Sequence, residues 1–207
     1  MRTTILASIA ALALSSGALA SPITFQFDGV VTNVFSGSPA LGAPWNTAGA
    51  VVGSPVQLTY TFESSTPDSN AGANFGTYLN AVSAYSLKIN TTSQSVTGPA
   101  AISILESWPA GYDQYEMNFY GFTGTSGLSF QLDDNTNSSF ATDALPTSLN
   151  LSTFSLRQGD LVGGVPFGQT IRFRVDTLTI LVPEPTTLAA AALGAVTSLK
   201  RRRRAAC

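Results

Sequence analysis

From Val56 to Glu63 the chain alternates residue by residue. Val56, Leu58, Tyr60 and Phe62 are apolar, whereas Gln57, Thr59, Thr61 and Glu63 are polar. Successive side chains of an extended strand point to opposite faces, so this period of two describes a strand with one buried and one wet face. The pattern returns at Ile23, Phe25 and Phe27, which alternate with Thr24, Gln26 and Asp28. It returns again over 170–181, where Ile171, Phe173, Val175, Leu178 and Ile180 supply the apolar set and Arg172, Arg174 and Asp176 the wet one. Shorter runs of the same kind lie at 78–89, 101–106, 115–122, 128–132 and 151–157, separated by Gly, Pro, Asn, Asp and Ser. Helical periodicity is almost absent from this stretch. About eight or nine strands joined by turns predict an all-β, antiparallel domain, with a β-sandwich or jelly roll as the first expectation and a closed barrel as the alternative.

The residues that are missing narrow the chemistry. The 207-residue chain has no histidine and one cysteine, Cys207. A Ser-His-Asp or Cys-His nucleophile and an imidazole metal site are therefore excluded. So are an internal disulfide and a CxxC motif. Of ten basic residues, Arg2 stands at the start and Lys200 to Arg204 near the end. The segment 21–182 keeps only Lys88, Arg157, Arg172 and Arg174 against eleven acidic residues, a net charge of about −7. Nucleic acid is not the expected partner of so acidic a domain.

The two ends read as addresses. Residues 1–20 have the three parts of a secretory signal peptide: Arg2, an apolar helical stretch from Ile5 to Leu14, and an A-x-A site at Ala18 and Ala20 before Ser21. At the other end, Val182-Pro183-Glu184-Pro185 precedes an uncharged stretch, 186–199, and the basic cluster Lys200, Arg201, Arg202, Arg203 and Arg204. The two prolines stop the preceding strand. The 14-residue stretch would make a helix of about 21 Å, a short transmembrane helix against a hydrocarbon core of roughly 30 Å. The basic cluster would stay cytoplasmic, so both ends place the intervening domain outside the inner membrane. The expected divisions are a signal peptide at 1–20, a β-rich ectodomain at 21–181 and a C-terminal signal at 182–207.

The order Pro183-Glu184-Pro185, Ala/Leu-rich run and Lys200 to Arg204 resembles the PEP-CTERM sorting signal of Gram-negative bacteria. The same terminal segment is also labelled an ice-binding-protein C-terminal domain, a label that carries no ice binding with it. The resemblance implies recognition by an exosortase, a membrane-embedded cysteine transpeptidase that cuts in or near the motif. It further implies a link with extracellular polysaccharide and biofilm. The reacting cysteine would be the exosortase's, so Cys207 reads as an incidental terminal thiol, with lipidation as the alternative. Gly53-Ser54-Pro55-Val56 and its continuation, together with 127–134 and 143–146, are similar to domains attached to this signal, a family with no biochemical activity to carry onto particular residues.

Two clusters in the ectodomain could carry chemistry. Asp133, Asn135 and Asn137 have the first three spacings of a calcium loop, but Ser138 stands where that loop needs Gly and Ala144 where it needs Glu. The alternative is a hairpin loop whose Asx side chains bond their own backbone. Trp108, Tyr112 and Tyr115, with Trp45, could stack on sugar rings or fill the core. Glu106, Asp113 and Glu116 flank those aromatics and could in principle form a glycosidase pair, but solvated carboxylates are the ordinary outcome. The expectation is therefore not an enzyme. It is an exported structural or adhesive surface protein without a cofactor, with a carbohydrate-binding module, calcium-assisted or not, as the alternative.

Overall fold

The computed structural model describes residues 22–70, 72, 74–106, 111–164 and 168–181. The signal peptide with Ala18, Ala20 and Ser21, the segment Val182 to Cys207 with its apolar stretch and basic cluster, and Trp108 lie outside the described residues. Among the described residues no helix is long and apolar enough to cross a membrane.

The all-β expectation holds, and the sandwich is corrected to a closed barrel. Eight antiparallel strands follow one another in chain order: β1 (Ile23–Phe35), β2 (Pro55–Phe62), β3 (Phe75–Ile89), β4 (Thr92–Leu105), β5 (Asp113–Phe119), β6 (Gly127–Asp134), β7 (Leu156–Val162) and β8 (Thr170–Leu181). Among the described residues each strand pairs with the next and β8 returns to β1, without a crossover. Alternation tells which side of a strand is buried but not which strand lies beside it. A sandwich and a barrel therefore write the same pattern into the sequence.

The apolar faces expected at Phe25 and Phe27, Val56 to Phe62 and Ile171 to Val175 point inward, whereas the strand expected at 151–157 is a 3-10 turn at Leu151–Thr153 followed by β7 from Leu156. Phe25, Phe27, Tyr60, Phe62, Phe119, Phe130 and Phe173 are fully buried. An eight-stranded barrel has an interior just wide enough to be filled by side chains, and aromatic rings fill this one. Phe27 and Phe130 meet across it at 4.9 Å between ring centres. Gly159 faces Phe173 across the β7–β8 pair, and a Cβ there would collide with the Phe173 ring. The outer wall carries Gln26, Gln57, Thr59, Thr61, Lys88 and Ser95, alternating with those core residues.

The two ends are closed by long connections. At one end, residues 36–54 between β1 and β2 tuck Leu41, Trp45 and Ala48 into the core, with Trp45 edge-on to Phe122 at 6.1 Å. At the other, residues 135–155 between β6 and β7 bring Phe140, Leu145, Leu151 and Phe154 over the opening. Ile23 and Leu181 belong to this second end, because Thr24 of β1 pairs with Leu181 of β8.

Candidate functional site

The calcium-like loop is organised by a different aspartate from the one expected. Leu128, Phe130 and Leu132 of β6 face inward, so Asp134 does too, and Asp133 faces the outer wall. There the Asp133 carboxylate accepts hydrogen bonds from Gln131 Nε2 at 2.8 Å and Gln114 Nε2 at 3.0 Å. Asp134 is buried at the barrel mouth, and its carboxylate holds the following turn. It accepts from the Thr136 amide at 2.8 Å, the Ser138 amide at 2.9 Å and the Ser139 hydroxyl at 2.8 Å. The hydroxyls of Thr136 and Ser138 donate to it as well. Two carboxylate oxygens offer about four lone-pair sites, so these donors saturate it.

Burial alone would raise the Asp134 pKa, but the hydrogen bonds from Thr136, Ser138 and Ser139 outweigh it and hold the carboxyl well below the usual range. Asn135 and Asn137 are exposed, and Asn137 sits in the left-handed region at φ 55°. The three expected ligands thus divide between the outer wall and an exposed turn. Among the described residues no group of three or more acidic or thiol side chains is placed to hold a metal.

The aromatic cluster divides in the same way. Tyr115 alternates inward with Met117 and Phe119 and is fully buried. Its hydroxyl lies 2.9 Å from that of Tyr60 inside the barrel. Burial pushes both phenols upward, so they stay neutral. Tyr115 is therefore a core residue that no sugar ring can reach, which corrects its place among the ligand candidates. Trp45 is corrected for the same reason, being buried under the far end. Tyr112 is half-buried at the mouth that Ile23 and Leu181 share. Asp113 is buried and accepts from the Ser139 and Phe140 amides at 2.8 and 2.9 Å. Glu116, on the opposite face of β5, accepts from Asn118 Nδ2 at 2.9 Å. The two carboxylates share neither a face nor a partner.

One concave site escaped the sequence. The β3–β4 register shifts between Tyr78 and Val82, with Asn80 at φ 60°, and this bulge lifts Leu79 off the wall. Beside it, β4–β5 pairing begins only at Ala101 and Asn118. The fork leaves a groove of about 330 Å³ lined by Leu79, Asn80, Ser103, Glu116, Asn118 and Tyr120. Leu79 is 55% and Tyr120 67% exposed. An apolar ring face beside an amide and a carboxylate suits a neutral polyhydroxylated ligand. Bulges leave no mark on alternation until the partner strand is known.

Comparison with known proteins places the defining feature at the C-terminus. The chain matches the PEP-CTERM protein-sorting motif over residues 181–204, the position that Pro183-Glu184-Pro185 and Lys200 to Arg204 indicate. The motif indicates exosortase-dependent sorting to the cell surface, with export and membrane-anchored processing. No curated protein and no solved structure matches the chain. The match begins at Leu181, the last residue of β8, so the barrel and the sorting motif adjoin without a linker.

Proposed function

We propose that the chain is a structural or adhesive protein of the bacterial surface or extracellular matrix, whose barrel is the displayed part and whose sorting motif is consumed on the way. The observation that carries this reading is the pairing of Thr24 with Leu181, which brings both connections of the domain out at one end. A barrel delivered between an N-terminal signal and a C-terminal anchor then stands on that end, with the Trp45-capped end turned outward. A packed interior with no histidine, no metal cluster among the described residues and a hydroxyl-rich wall suits a passive module. Mass spectrometry of cell-associated and secreted protein tests it. Chains that have lost Lys200 to Arg204 are expected, and a population that retains them throughout would sink the reading.

A second reading is favoured by the fork groove. Tyr120 and Leu79 supply an exposed apolar platform, and Glu116 and Asn118 an acceptor and a donor, which supports binding of a neutral sugar of a matrix polysaccharide. Titration of the full chain with neutral oligosaccharides should show binding that Tyr120→Ala removes. Equal binding by wild type and variant would count against the groove.

A further inference from the structure

Strand β8 is paired on both sides for only part of its length. On the β1 side its partners run to Leu181, opposite Thr24. On the β7 side they stop at Arg174, opposite Gln158. The preceding β7 residues, Leu156 and Arg157, pair only with β6. From Val175 to Leu181 the second edge of β8 therefore has no backbone partner among the described residues. The consequence shows in burial. Ile180 shares the inward face with its partner Phe25, which is fully buried, yet Ile180 itself is 37% exposed. Leu181 is 46% exposed.

This edge is about 23 Å long at about 3.3 Å per residue. An open edge presents unpaired N–H and C=O groups and is a template for another strand unless charge, proline, a bulge or a covering loop blunts it. The turn Leu151–Thr153 of the β6–β7 connection approaches β8, but Thr179, Ile180 and Leu181 stay exposed. Here Asp176 stands at the bulge and is tied to Arg174 at 2.8 Å, but Thr177-Leu178-Thr179-Ile180-Leu181 carries no charge and no proline. The first proline is Pro183, inside the sorting motif. An enzyme engaged at 182–185 therefore meets the free edge of β8 within one residue of its target.

We propose that the sorting enzyme docks on the Val175–Leu181 edge by strand addition, immediately ahead of the motif in the chain. Main-chain pairing would supply affinity that a four-residue motif lacks, and the fixed strand would set the register in which the motif enters the active site. The inference rests on the processing reading above and concerns what else the enzyme touches.

The test is a pulse-chase of the full chain in its native host, reading by mass spectrometry the rate at which Lys200 to Arg204 are lost. A Gly-Ser-Gly-Ser insertion between Leu181 and Val182 separates edge from motif by about 13 Å. It should slow processing at least tenfold. Thr179→Glu places a charge on the edge without altering topology signals, to which acidic residues contribute little, and should slow processing several-fold. The same insertion between Val51 and Val52, at the other end of the barrel, should leave the rate unchanged. Wild-type rates with the Leu181 spacer, or equal slowing by the Val51 insertion, would overturn the proposal. So would a wild-type dimer that Thr179→Glu converts to a normally processed monomer, since the edge would then serve a second copy. If wild type itself keeps its basic cluster, the processing reading fails and takes the edge with it.

Discussion

The barrel closes its two mouths with different chemistry. At the far end Trp45 packs edge-on against Phe122, and Leu41 and Ala48 complete an apolar lid. The indole Nε1 there is buried with no hydrogen-bond partner among the described residues. At the end shared by Ile23 and Leu181, buried Asp134 and Asp113 hold the turn at 136–140 through its amides and hydroxyls. One lid is held by packed volume and tolerates an imperfect polar atom. The other is held by charge-assisted hydrogen bonds to the Asp134 and Asp113 carboxylates. The lids should therefore fail under different stresses.

The largest effect is expected from removing the far lid's anchor. Trp45→Ala should cost about 3–5 kcal/mol in urea unfolding, as for other large-to-small core changes. Trp45→Phe should cost less than about 1.5 kcal/mol, because it keeps a ring and deletes the unpaired N–H. If both cost the same, the indole nitrogen has a partner and the apolar description of that lid is wrong. Next comes Asp134→Ala, which strands several donors and should cost about 3 kcal/mol.

Acid separates the lids more sharply. The Asp134 carboxyl is held below its unfolded value near 3.9, so its contribution is present above about pH 4 and is lost as pH falls toward the folded value. Wild-type Tm should drop in that window, and Asp134→Ala should flatten the drop. Trp45→Ala should lower Tm by the same amount at every pH. The smallest expected effect is that of calcium. Millimolar calcium or EDTA should leave Tm unchanged, and a rise with calcium that Asp134→Ala abolishes would show that the turn admits a cation after all.

Much of this was legible in the residues. Val56 to Phe62 fixed the inward face of β2. The slip in alternation between Val175 and Leu178 is the bulge seen where Asp28 and Gly29 of β1 change register. Alternation through Leu128, Phe130 and Leu132 could also have identified Asp134 as the inward aspartate, and Met117 and Phe119 could have marked Tyr115 as core. Spacing to a known loop and aromatic clustering suggested otherwise, because neither takes account of which way a strand faces. The closure of the barrel, the fork between β4 and β5 and the free edge of β8 depend on which strands pair and where pairing stops. Those are properties of long-range register, and no local pattern encodes them.

The return of β8 to β1 also sets an order of events. Seven of the eight seams join strands adjacent in sequence, so a chain emerging N-terminus first can zip them in turn. The eighth seam joins the first strand to the last, and β1 keeps an open flank until Leu181 has emerged. The sorting motif begins on that same residue. The barrel can therefore close only when the first residue of its sorting motif has emerged, so completion of the cargo comes directly before presentation of its address.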